Sequence, residues 1–493
     1  MKLLELCRGA KIVCPKHLEN LEIEGISSRS SEIKQNYIFV CLKGTKCDGH
    51  SYIDAAILNG ACAVVIENEN YLCDKAILVN STREALANMM NVFCNEPTKE
   101  LRFIGITGTN GKTSIAAMLK NILDEIKHPS EVIGTLNCSS FSLRNDNSTA
   151  NFTTPDPEEL YPMLRRMSDA GVKTVIMEAS SHALKLKKLA PINFEIAIFT
   201  NLTEDHLDFH LTMEDYFNSK LCLFDKCKLG IINIDDEFGK RISSLAPCKI
   251  KTCSISQNAD YFVKNIDNRH ENGNAYQLIT KNDEIDIECS SIGEFMILNS
   301  MQACACALEL NIDKNDIQRS FKSFSGVKGR LEKIWLFEGR DFAVFIDYAH
   351  TPDALDKILK TFKSCKREEQ RLVLLFGCGG DRDKEKRAKM GKIASENADF
   401  VIVTSDNPRS ENPNDIINQI VFGIKDKQNF AIIPNRKMAI EYAIATAMQG
   451  DIIILAGKGH ENYEINACGR VHFDEHEILL QVYKNYYETE NEL

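Results

Sequence analysis

The stretch from Phe103 to Ser114, FIGITGTNGKTS, constrains the fold more than any other part of the chain. An apolar run leads into a loop with two glycines, and apolar residues then recur at helical spacing from Ile115 to Ile126. A strand, a tight loop and a helix are therefore predicted in that order. Because the first turn of a helix has free backbone N–H groups and a positive dipole end, this arrangement is typical of a phosphate-binding loop.

The side chains of this loop suit a nucleoside triphosphate with Mg²⁺. Glycine lets the backbone approach phosphate, Lys112 can reach the terminal phosphates, and the Thr113 hydroxyl can ligate Mg²⁺. The general motif has glycine where this chain has Ile106, and an ordinary tight turn is the alternative interpretation. The residues predicted to bind the nucleotide here are Gly108, Thr109, Asn110, Gly111, Lys112, Thr113 and Ser114.

Length and composition narrow the class of protein. A chain of 493 residues is too long for one hydrophobic core. The formal net charge of −11 and the lack of a basic run argue against nucleic acid and anionic membranes as partners. No apolar run is long enough to span a membrane or to serve as a signal peptide, so we expect a cytoplasmic monomer. The 18 cysteines lack C-x-x-C spacing, which favours buried thiols over zinc sites or disulfides.

The order of predicted elements indicates an α/β protein of three domains. Residues 1–97 form a small N-terminal α/β domain, and a turn-like segment, Asn95 to Thr98, ends it. Residues 98–328 form a central P-loop-type domain with a mostly parallel sheet. Residues 329–493 alternate strands and helices again, which predicts a Rossmann-like doubly wound domain.

Two polar residues follow apolar strands of the central domain. Glu178 ends a strand that begins at Thr174, and His206 follows the strand Glu195 to Phe199. In open α/β sheets the ligand lies beyond the carboxyl ends of the strands, so both side chains are expected to face the nucleotide. A carboxylate and an imidazole are candidate metal ligands. Either residue alone is more often a surface or core group.

Four polar turns follow strands in the C-terminal third, and together they suggest a cleft. Arg382 and Arg409 can each hold a carboxylate through two hydrogen bonds, while Glu461 can accept bonds from an ammonium group. A substrate with both groups, an amino acid, would suit this set. The alternative is that the turns only reverse the chain. The turns are Asp347–Asp353, Gly377–Asp383, Asp406–Arg409 and Gly457–Glu461.

With these residues in view, the chain resembles the Mur ligases, the ATP-dependent amide-forming enzymes of bacterial cell-wall precursor synthesis, and in particular their MurE type. The resemblance extends over essentially the whole chain. The matching segments are GTNGKTS at 108–114, MEASSHAL at 177–184, TNLTEDHLDFH at 200–210, GRLE at 329–332, DYAHTPDAL at 347–355, FGCGGDRDKEKR at 376–387, DNPR at 406–409 and AGKGHE at 456–461.

The resemblance implies an ATP-dependent ligase of peptidoglycan synthesis. It would add meso-2,6-diaminopimelate to the D-glutamate γ-carboxylate of UDP-N-acetylmuramoyl-L-alanyl-D-glutamate through an acyl phosphate. In the family, the arginine form of the tetrapeptide that matches Asp406 to Arg409 accompanies diaminopimelate rather than L-lysine. The chemistry agrees, because Arg409 can hold the distal carboxylate that lysine lacks.

The resemblance also implies the roles of the nucleotide and metal residues. Lys112 and its loop bind ATP, Thr113 and Glu178 hold one Mg²⁺, and His206 and Lys220 hold a second. Lys220 lies in a predicted helix, Met213 to Phe224, and would be N-carboxylated, since an ammonium group cannot ligate a cation. A plain surface lysine is the alternative. The implied catalytic residues are Lys112, Glu178, His206 and Lys220, and the implied adenine, phosphate and ribose contacts are Asn299, Arg330 and Asp347.

Two groups of substrate contacts follow from the same resemblance. The UDP-linked precursor would contact Ser28, Lys43, Gly44, Thr45, Thr153, Thr154, Ser180 and Lys188. The amino acid would contact Arg382, Asp406, Asn407, Pro408, Arg409, Gly457 and Glu461. The chain departs from the family pattern around the precursor and adenine sites, at Ser27, Leu186, Lys188 and Met296.

Three alternatives remain open from the sequence. The first is the same ligase with L-lysine as substrate. The second is another member of the superfamily, such as a folylpolyglutamate synthetase or the ligase for D-alanyl-D-alanine, which the first domain and the DNPR segment disfavour. The third is an NTP-binding switch protein, in which Arg382, Arg409 and Glu461 would have no role.

Overall fold

Apolar strands separated by amphipathic helices form three main β-sheets, one after another along the chain. The computed structural model describes residues 1–44, 47–136, 153–268, 273–425 and 429–488. Of the predicted site residues, Thr45 lies outside these ranges. The predicted α/β class with mostly parallel sheets is confirmed, whereas the exact domain limits stay predictions.

The N-terminal sheet has four parallel strands in sequential order. Its elements are α1 Leu3–Gly9, β1 Gly25–Ser27, β2 Tyr37–Val40, α2 Ile53–Leu58, β3 Ala61–Ile66, β4 Ala76–Leu78 and α3 Thr82–Phe93. The sequence indicates strands near 37–42, 62–66 and 76–79, which match β2, β3 and β4, but not β1, in which Ile26 is the one residue typical of strands. Since β1 ends at Ser27, the predicted contact Ser28 lies directly beyond its carboxyl end.

The central sheet has nine strands, and the phosphate-binding loop follows one of its interior strands, the third from one edge. Its strands are β5 Arg102–Thr107, β6 Ser130–Ile133, β7 Thr174–Glu178, β8 Phe194–Phe199, β9 Cys227–Asn233, β10 Lys249–Ser254, β11 Tyr261–Asn268, β12 Asn274–Ile279 and β13 Glu284–Cys289. Their spatial order is β13-β12-β11-β10-β9-β8-β5-β7-β6. From β6 to β11 the neighbours are parallel, and β12 is antiparallel to both of its neighbours.

Helices cover both faces of this sheet. They are α4 Lys112–Glu125, α5 Pro157–Asp169, α6 Ser181–Lys185, α7 Leu207–His210, α8 Met213–Leu221, α9 Glu237–Leu245, α10 Glu294–Glu309 and α11 Lys314–Ser323. The apolar side of α4 packs with α10 on one face, and α5 shares a continuous core with α3 of the N-terminal part on the other. The helix predicted up to Phe224 ends at Leu221, because Phe224 begins a separate 3₁₀ turn.

The C-terminal sheet has six strands, five of them parallel. The elements of this part are β14 Glu332–Lys333, β15 Ala343–Asp347, α12 Pro352–Cys365, β16 Leu372–Phe376, α13 Glu385–Asn397, β17 Phe400–Val403, α14 Pro413–Val421, β18 Phe430–Ile432, α15 Arg436–Ala445, β19 Ile452–Ala456, β20 Tyr463–Asn466, β21 Gly469–His472 and α16 Glu475–Tyr483. Strands β20 and β21 form a separate two-stranded ribbon. The sheet order is β14-β15-β19-β16-β17-β18. Helices α12 to α14 cover one face and α15 and α16 the other, which is a doubly wound arrangement. The sequence did not predict β14, β18 or the ribbon, whose strands have two to four residues each.

A fully buried ion pair holds α15 and α16 against the carboxyl ends of two strands. Arg436 Nε donates to Glu475 Oε1 at 2.8 Å, and neither side chain is exposed. The same guanidinium donates to Ala456 O at 2.8 Å and to Ser405 O at 3.3 Å. The pair therefore fixes the ends of β17 and β19. None of the helices in the described ranges is both long and apolar enough to cross a membrane.

We predict that Glu475→Gln destabilises the C-terminal part by about 3 kcal/mol or more, because it leaves the Arg436 charge buried without a counter-charge. Thermal unfolding measures the effect as a lower melting temperature. The matched control is Glu477→Gln on the same helix, since Glu477 is 60% exposed. Equal melting temperatures for the two variants would contradict the prediction.

Candidate functional site

A cavity of about 810 Å³ lies between the central and C-terminal sheets. The carboxyl ends of parallel strands from both sheets open into it, which brings together residues that lie far apart in sequence. Predicted nucleotide, metal and phosphate residues line this cavity. They are Thr109, Asn110, Gly111, Lys112, Thr113, Ser114, Glu178, His206, Asn299, Arg330 and Asp347. Thr153, a predicted precursor contact, lines the same cavity.

The loop glycines are required by close packing. Gly108 has a φ of +146°, and a Cβ there would lie 1.8 Å from Thr200 Oγ1. Gly111 has a φ of +91°, and a Cβ there would lie 2.5 Å from Asn299 Oδ1. Neither position accepts a side chain without moving its neighbour. The loop backbone can therefore approach phosphate closely, with α4 beginning directly at Lys112.

Lys112 bends back onto its own loop. Its Nζ donates to Gly108 O at 2.8 Å and to Thr109 O at 2.9 Å. Burial lowers the pKa of Lys112, while the nearby carboxylate of Glu178 acts in the opposite direction. A bound phosphate anion can replace the two carbonyl oxygens as the partner of this ammonium group.

Glu178 is buried at the end of β7 and accepts hydrogen bonds from two other elements. Thr113 Oγ1 donates to Oε2 at 3.1 Å, and Thr135 N donates to Oε1 at 2.9 Å. A Cβ on Gly134 would lie 2.3 Å from Oε1, so the backbone at Gly134 lies too close to the Glu178 carboxylate for a side chain to fit there. A hydroxyl and a carboxylate side by side are ligands that Mg²⁺ prefers, and this pair fits the ion. The sequence did not predict Thr135.

His206 and Lys220 lie near the same cavity, but the His206 side chain is 44% exposed whereas Lys220 is buried. His206 has a φ of +55°, and its Nε2 is 3.4 Å from Asp205 Oδ2. Partial desolvation in the cavity lowers the pKa of His206 to about 4, although Asp205 opposes the shift. Lys220 is 1% exposed, and its Nζ is 4.5 Å from the centroid of the Tyr216 ring.

Lys220 is unusual because it is a buried lysine without a carboxylate partner. Within the described ranges its Nζ forms no ion pair. Burial, followed by the charge of Lys112, lowers the pKa of Lys220 well below its ordinary value. A neutral amine is therefore favoured at this position.

Aromatic contacts that the sequence did not predict connect His206 to the phosphate-binding loop. The rings of His182 and His206 are 5.0 Å apart, and His210 stacks on Tyr216 at 4.8 Å. The Tyr216 hydroxyl is 3.2 Å from Thr109 Oγ1 in the loop. Both additional histidines lie in segments already noted in the sequence, MEASSHAL and TNLTEDHLDFH, which is the signal that could have revealed them.

The C-terminal part contributes Arg330 and Asp347 to the cavity. Arg330 Nη2 donates to Thr113 Oγ1 at 3.3 Å, and its guanidinium lies 4.5 Å from the Tyr348 ring centroid. Burial raises the pKa of Asp347 to about 6, although the Arg330 charge and two backbone N–H groups oppose the shift. The residues predicted for phosphate and ribose therefore face the loop from the opposite sheet.

A direct contact between the two sheets was not predicted. Asp353, in the first turn of α12, accepts a hydrogen bond from Asn110 Nδ2 at 3.0 Å. The same carboxylate oxygen accepts bonds from Thr203 at 3.4 Å and from Lys357 at 2.9 Å. The Asp353 side chain therefore links the phosphate-binding loop to the C-terminal part, in addition to the contact between Arg330 and Thr113.

The four polar turns of the C-terminal part meet at one edge of its sheet. Asn407 Nδ2 donates to Glu461 Oε2 at 2.8 Å. A Cβ on Gly457, whose φ is +113°, would lie 2.6 Å from Asp406 Oδ2. Pro408 lies between Asn407 and the last residue of the tetrapeptide, so the structure gathers the residues predicted to hold the amino acid.

Two arginine side chains approach the same backbone position, Gly379, in this cluster. A Cβ on Gly379 would lie 2.8 Å from Arg409 Nη1 and 3.9 Å from Arg382 Cγ. Burial and the Arg382 charge lower the pKa of Arg409. In the part of the chain that the structure describes, neither arginine forms an ion pair. Arg409 Nη1 instead donates to Gly380 O at 2.9 Å, so the pair presents charge that a carboxylate can neutralise.

The predicted precursor contacts form a separate group near the N-terminal sheet. Ser28 donates through both N and Oγ to Glu158 Oε1 at 2.8 Å. Lys188 Nζ is 2.8 Å from Asp156 Oδ1, so an acidic residue that the sequence did not predict already neutralises its charge. Thr154 donates to Ser180 Oγ at 3.1 Å, next to this pair.

Lys43 and Gly44 lie at the edge of the N-terminal sheet. Lys43 O accepts a hydrogen bond from Arg83 Nη2 at 2.6 Å, and Gly44 N donates to Cys47 O at 3.0 Å. Both contacts involve backbone atoms of Lys43 and Gly44, so contact of the Lys43 side chain with the precursor stays a prediction.

Three family models match successive parts of the chain. They are "Mur ligase family, catalytic domain" over residues 22–94, "Mur ligase middle domain" over 106–307 and "Mur ligase, glutamate ligase domain" over 329–459. Relatives named UDP-N-acetylmuramoyl-L-alanyl-D-glutamate--2,6-diaminopimelate ligase include one from Clostridium perfringens, 40% identical over 98% of this chain and 99% of its own. Another, from Caldanaerobacter subterraneus, is 41% identical over the same shares.

Solved structures show the same architecture. A structure named as a UDP-N-acetylmuramoyl-L-alanyl-D-glutamate--2,6-diaminopimelate ligase is 29% identical, covers 100% of both chains and has a TM-score of 0.69. A MurF ligase from Thermotoga maritima in complex with ADP is 17% identical, covers 95% of this chain and 98% of its own, and has a TM-score of 0.59. At that identity the second similarity concerns the fold alone.

We predict that acid destabilises the protein partly through His210. Burial lowers the pKa of His210 to about 4, whereas the unfolded imidazole titrates near 6.5. Between these values the unfolded state binds the extra proton, so stability falls as the pH falls through this window. Melting temperatures measured from about pH 7 to pH 5 should fall less steeply in His210→Gln.

The control for His210→Gln is His472→Gln. His472 is exposed, and its hydrogen bond with Glu477 raises its pKa, so its removal should not reduce the acid sensitivity. The same pH dependence in wild type and His210→Gln would contradict the prediction.

Proposed function

This chain belongs to the Mur ligase family, and we propose that it joins meso-2,6-diaminopimelate to UDP-N-acetylmuramoyl-L-alanyl-D-glutamate in an ATP-dependent step of peptidoglycan precursor synthesis. One observation carries the proposal. The phosphate-binding loop faces a C-terminal sheet whose edge holds Arg382 and Arg409, which form no ion pair within the described ranges, together with the carboxylate of Glu461. The reaction would take place in the cytoplasm, where ATP is available.

The first step is transfer of the terminal phosphoryl group of ATP to the γ-carboxylate of the D-glutamate. The carboxylate oxygen attacks phosphorus, the bond to ADP breaks, and an acyl phosphate forms. Lys112 and Arg330 place positive charge at the loop, and free N–H groups at the start of α4 donate to phosphate oxygens. Mg²⁺, held by Thr113 and Glu178, would neutralise phosphate charge when bound.

The second step is attack of an amino group of diaminopimelate on the acyl carbon. A tetrahedral intermediate forms, phosphate leaves, and the amide remains. Arg409 and Arg382 hold the distal carboxylate, and Glu461 with Asn407 holds the distal ammonium group. The other end of the amino acid is then free to reach the cavity. L-Lysine lacks the distal carboxylate, so it leaves both guanidinium groups without a partner.

The UDP-linked precursor has its candidate contacts between the N-terminal and central sheets. The candidate residues Ser28, Thr154 and Lys188 lie together, but Glu158 and Asp156 already hydrogen-bond to two of them. We propose that the precursor binds along this group, between the N-terminal and central sheets, with its dipeptide directed toward the loop.

Lys220 suits N-carboxylation by carbon dioxide. Only a neutral amine attacks carbon dioxide, and burial of Lys220 favours that form. The resulting carbamate is an anion, and with His206 it would provide ligands for a second Mg²⁺.

We predict that phosphate release from ATP depends on both the UDP-muramoyl dipeptide and meso-diaminopimelate. A coupled phosphate assay compares meso-diaminopimelate, L-lysine and no amino acid, and mass spectrometry confirms the amide product. Turnover with diaminopimelate should exceed that with L-lysine by at least about a hundredfold, because the lysine complex leaves the half-buried guanidinium group of Arg409 without a carboxylate partner.

Each other outcome excludes one part of the proposal. Turnover with L-lysine instead would retain the ligase but would overturn the role of Arg409. Phosphate release that is indifferent to precursor and amino acid would favour the NTP-binding switch protein.

We predict that Lys220→Ala lowers kcat roughly a hundredfold or more and that short carboxylic acids partly restore it, since a free carboxylate can occupy the place of the carbamate. Phosphate release with increasing acetate or formate measures the rescue. Lys228→Ala is the control, because Lys228 is 75% exposed and pairs with Glu195. Full activity of Lys220→Ala without added acid would contradict N-carboxylation.

A further inference from the structure

Lys458 is a completely buried lysine in the turn after β19, next to the amino-acid cluster. Its Nζ donates to Tyr463 O at 2.8 Å and to Asn407 Oδ1 at 3.2 Å, and it is 3.7 Å from Glu461 Oε2. A buried ammonium group is unfavourable unless every donor has a partner. These three partners include two of the residues proposed to bind the substrate.

Lys458 helps to fix the orientation of the Asn407 amide. Asn407 Oδ1 accepts from Lys458 Nζ and, at 2.9 Å, from Ile465 N. Because two donors face the oxygen, rotation of the amide would bring its NH₂ group against both of them. Nδ2 must therefore point toward Glu461, to which it donates.

We propose that Lys458 is a positioning residue for the amino-acid substrate: it holds Asn407 and Glu461 in the orientation in which they receive the distal ammonium group. This inference rests on the proposed function. Lys458 itself lies behind these residues, with its Nζ directed to Asn407 and to the ribbon β20–β21.

The charge of Lys458 is as important as its hydrogen bonds. Burial and the charge of Asp406 raise the pKa of Glu461, and Lys458 acts against that rise. Burial also opposes ionisation of Asp406, yet the charges of Lys458 and Arg436 lower its pKa. Lys458 therefore favours the ionised form of both neighbouring carboxylates, and the ionised form of Glu461 is the one that binds an ammonium group.

The ribbon β20–β21 completes the arrangement. Ile465 O accepts from Arg409 N at 2.9 Å, while Ile465 N donates to Asn407. Lys458 binds the same strand at Tyr463 O. Loss of Lys458 should therefore loosen the ribbon and the Asp406–Arg409 turn together, and leave the distant phosphate-binding loop unchanged.

The test compares Lys458→Met, Lys458→Arg and a control, Lys437→Met, whose lysine is on the exposed side of α15. In Lys458→Met the KM for meso-diaminopimelate should rise roughly tenfold or more, because a charge-assisted hydrogen bond is lost. The KM values for ATP and for the precursor should stay within about twofold. Lys458→Arg, which keeps the charge, should recover part of the loss, and the control should match wild type.

A different pattern overturns the proposal. Equal rises in all three KM values, or a fall in kcat with unchanged KM for the amino acid, would show that Lys458 has only a structural role. An unchanged KM in Lys458→Met would do the same.

A second measurement does not depend on turnover. Hydrogen–deuterium exchange should be faster in peptides that contain Ile465 in Lys458→Met than in wild type, and unchanged in peptides of the phosphate-binding loop. Unchanged exchange at Ile465 would overturn the positioning role. If wild type shows no amino-acid-dependent phosphate release, the proposed function fails instead, and exchange still reports on whether Lys458 holds the turn.

Discussion

The carboxyl ends of two parallel sheets face one cavity, and the rest of the site depends on this constraint. Every strand of a parallel sheet ends at the same edge, so each sheet can offer several side chains to one ligand. The contacts of Arg330 with Thr113 and of Asp353 with Asn110 hold the two edges together. In the proposed reaction, a phosphorylated substrate forms at the phosphate-binding loop and receives its amine from the C-terminal part.

Burial of charged side chains is unfavourable, and the structure compensates for it differently at each of four cationic residues. Arg436 has a carboxylate partner, Glu475, and holds α15 and α16 to the ends of two strands. Lys458 has neutral oxygen partners and an adjacent carboxylate, so it can position other groups. Within the described ranges, the hydrogen-bond partners of Lys112 are carbonyl oxygens of its own loop, and phosphate can replace them. Lys220 has no carboxylate within the described ranges, and the consequence is a lowered pKa that suits chemical modification.

Some of the large elements could be predicted because their periodicity is long and regular. The strand–loop–helix at β5 and α4 is an example, and so are the repeated strands and helices of the C-terminal part. Elements such as β1, β18 and the ribbon were not predicted, since a strand of three or four residues shows no clear alternation. The ribbon matters for function because Ile465 contacts both Asn407 and Arg409.

The sequence by itself determined the chemistry: the phosphate-binding loop, the carboxylate at Glu178, the arginines at 382 and 409, and a family resemblance that the comparisons confirm. Only the tertiary structure decided which residues act together. Asp353, His210 and Lys458 gain their roles from partners more than 25 positions away or from burial, neither of which a local pattern contains. The physical reason is that hydrogen bonding and burial depend on distance in space, whereas sequence patterns report only distance along the chain.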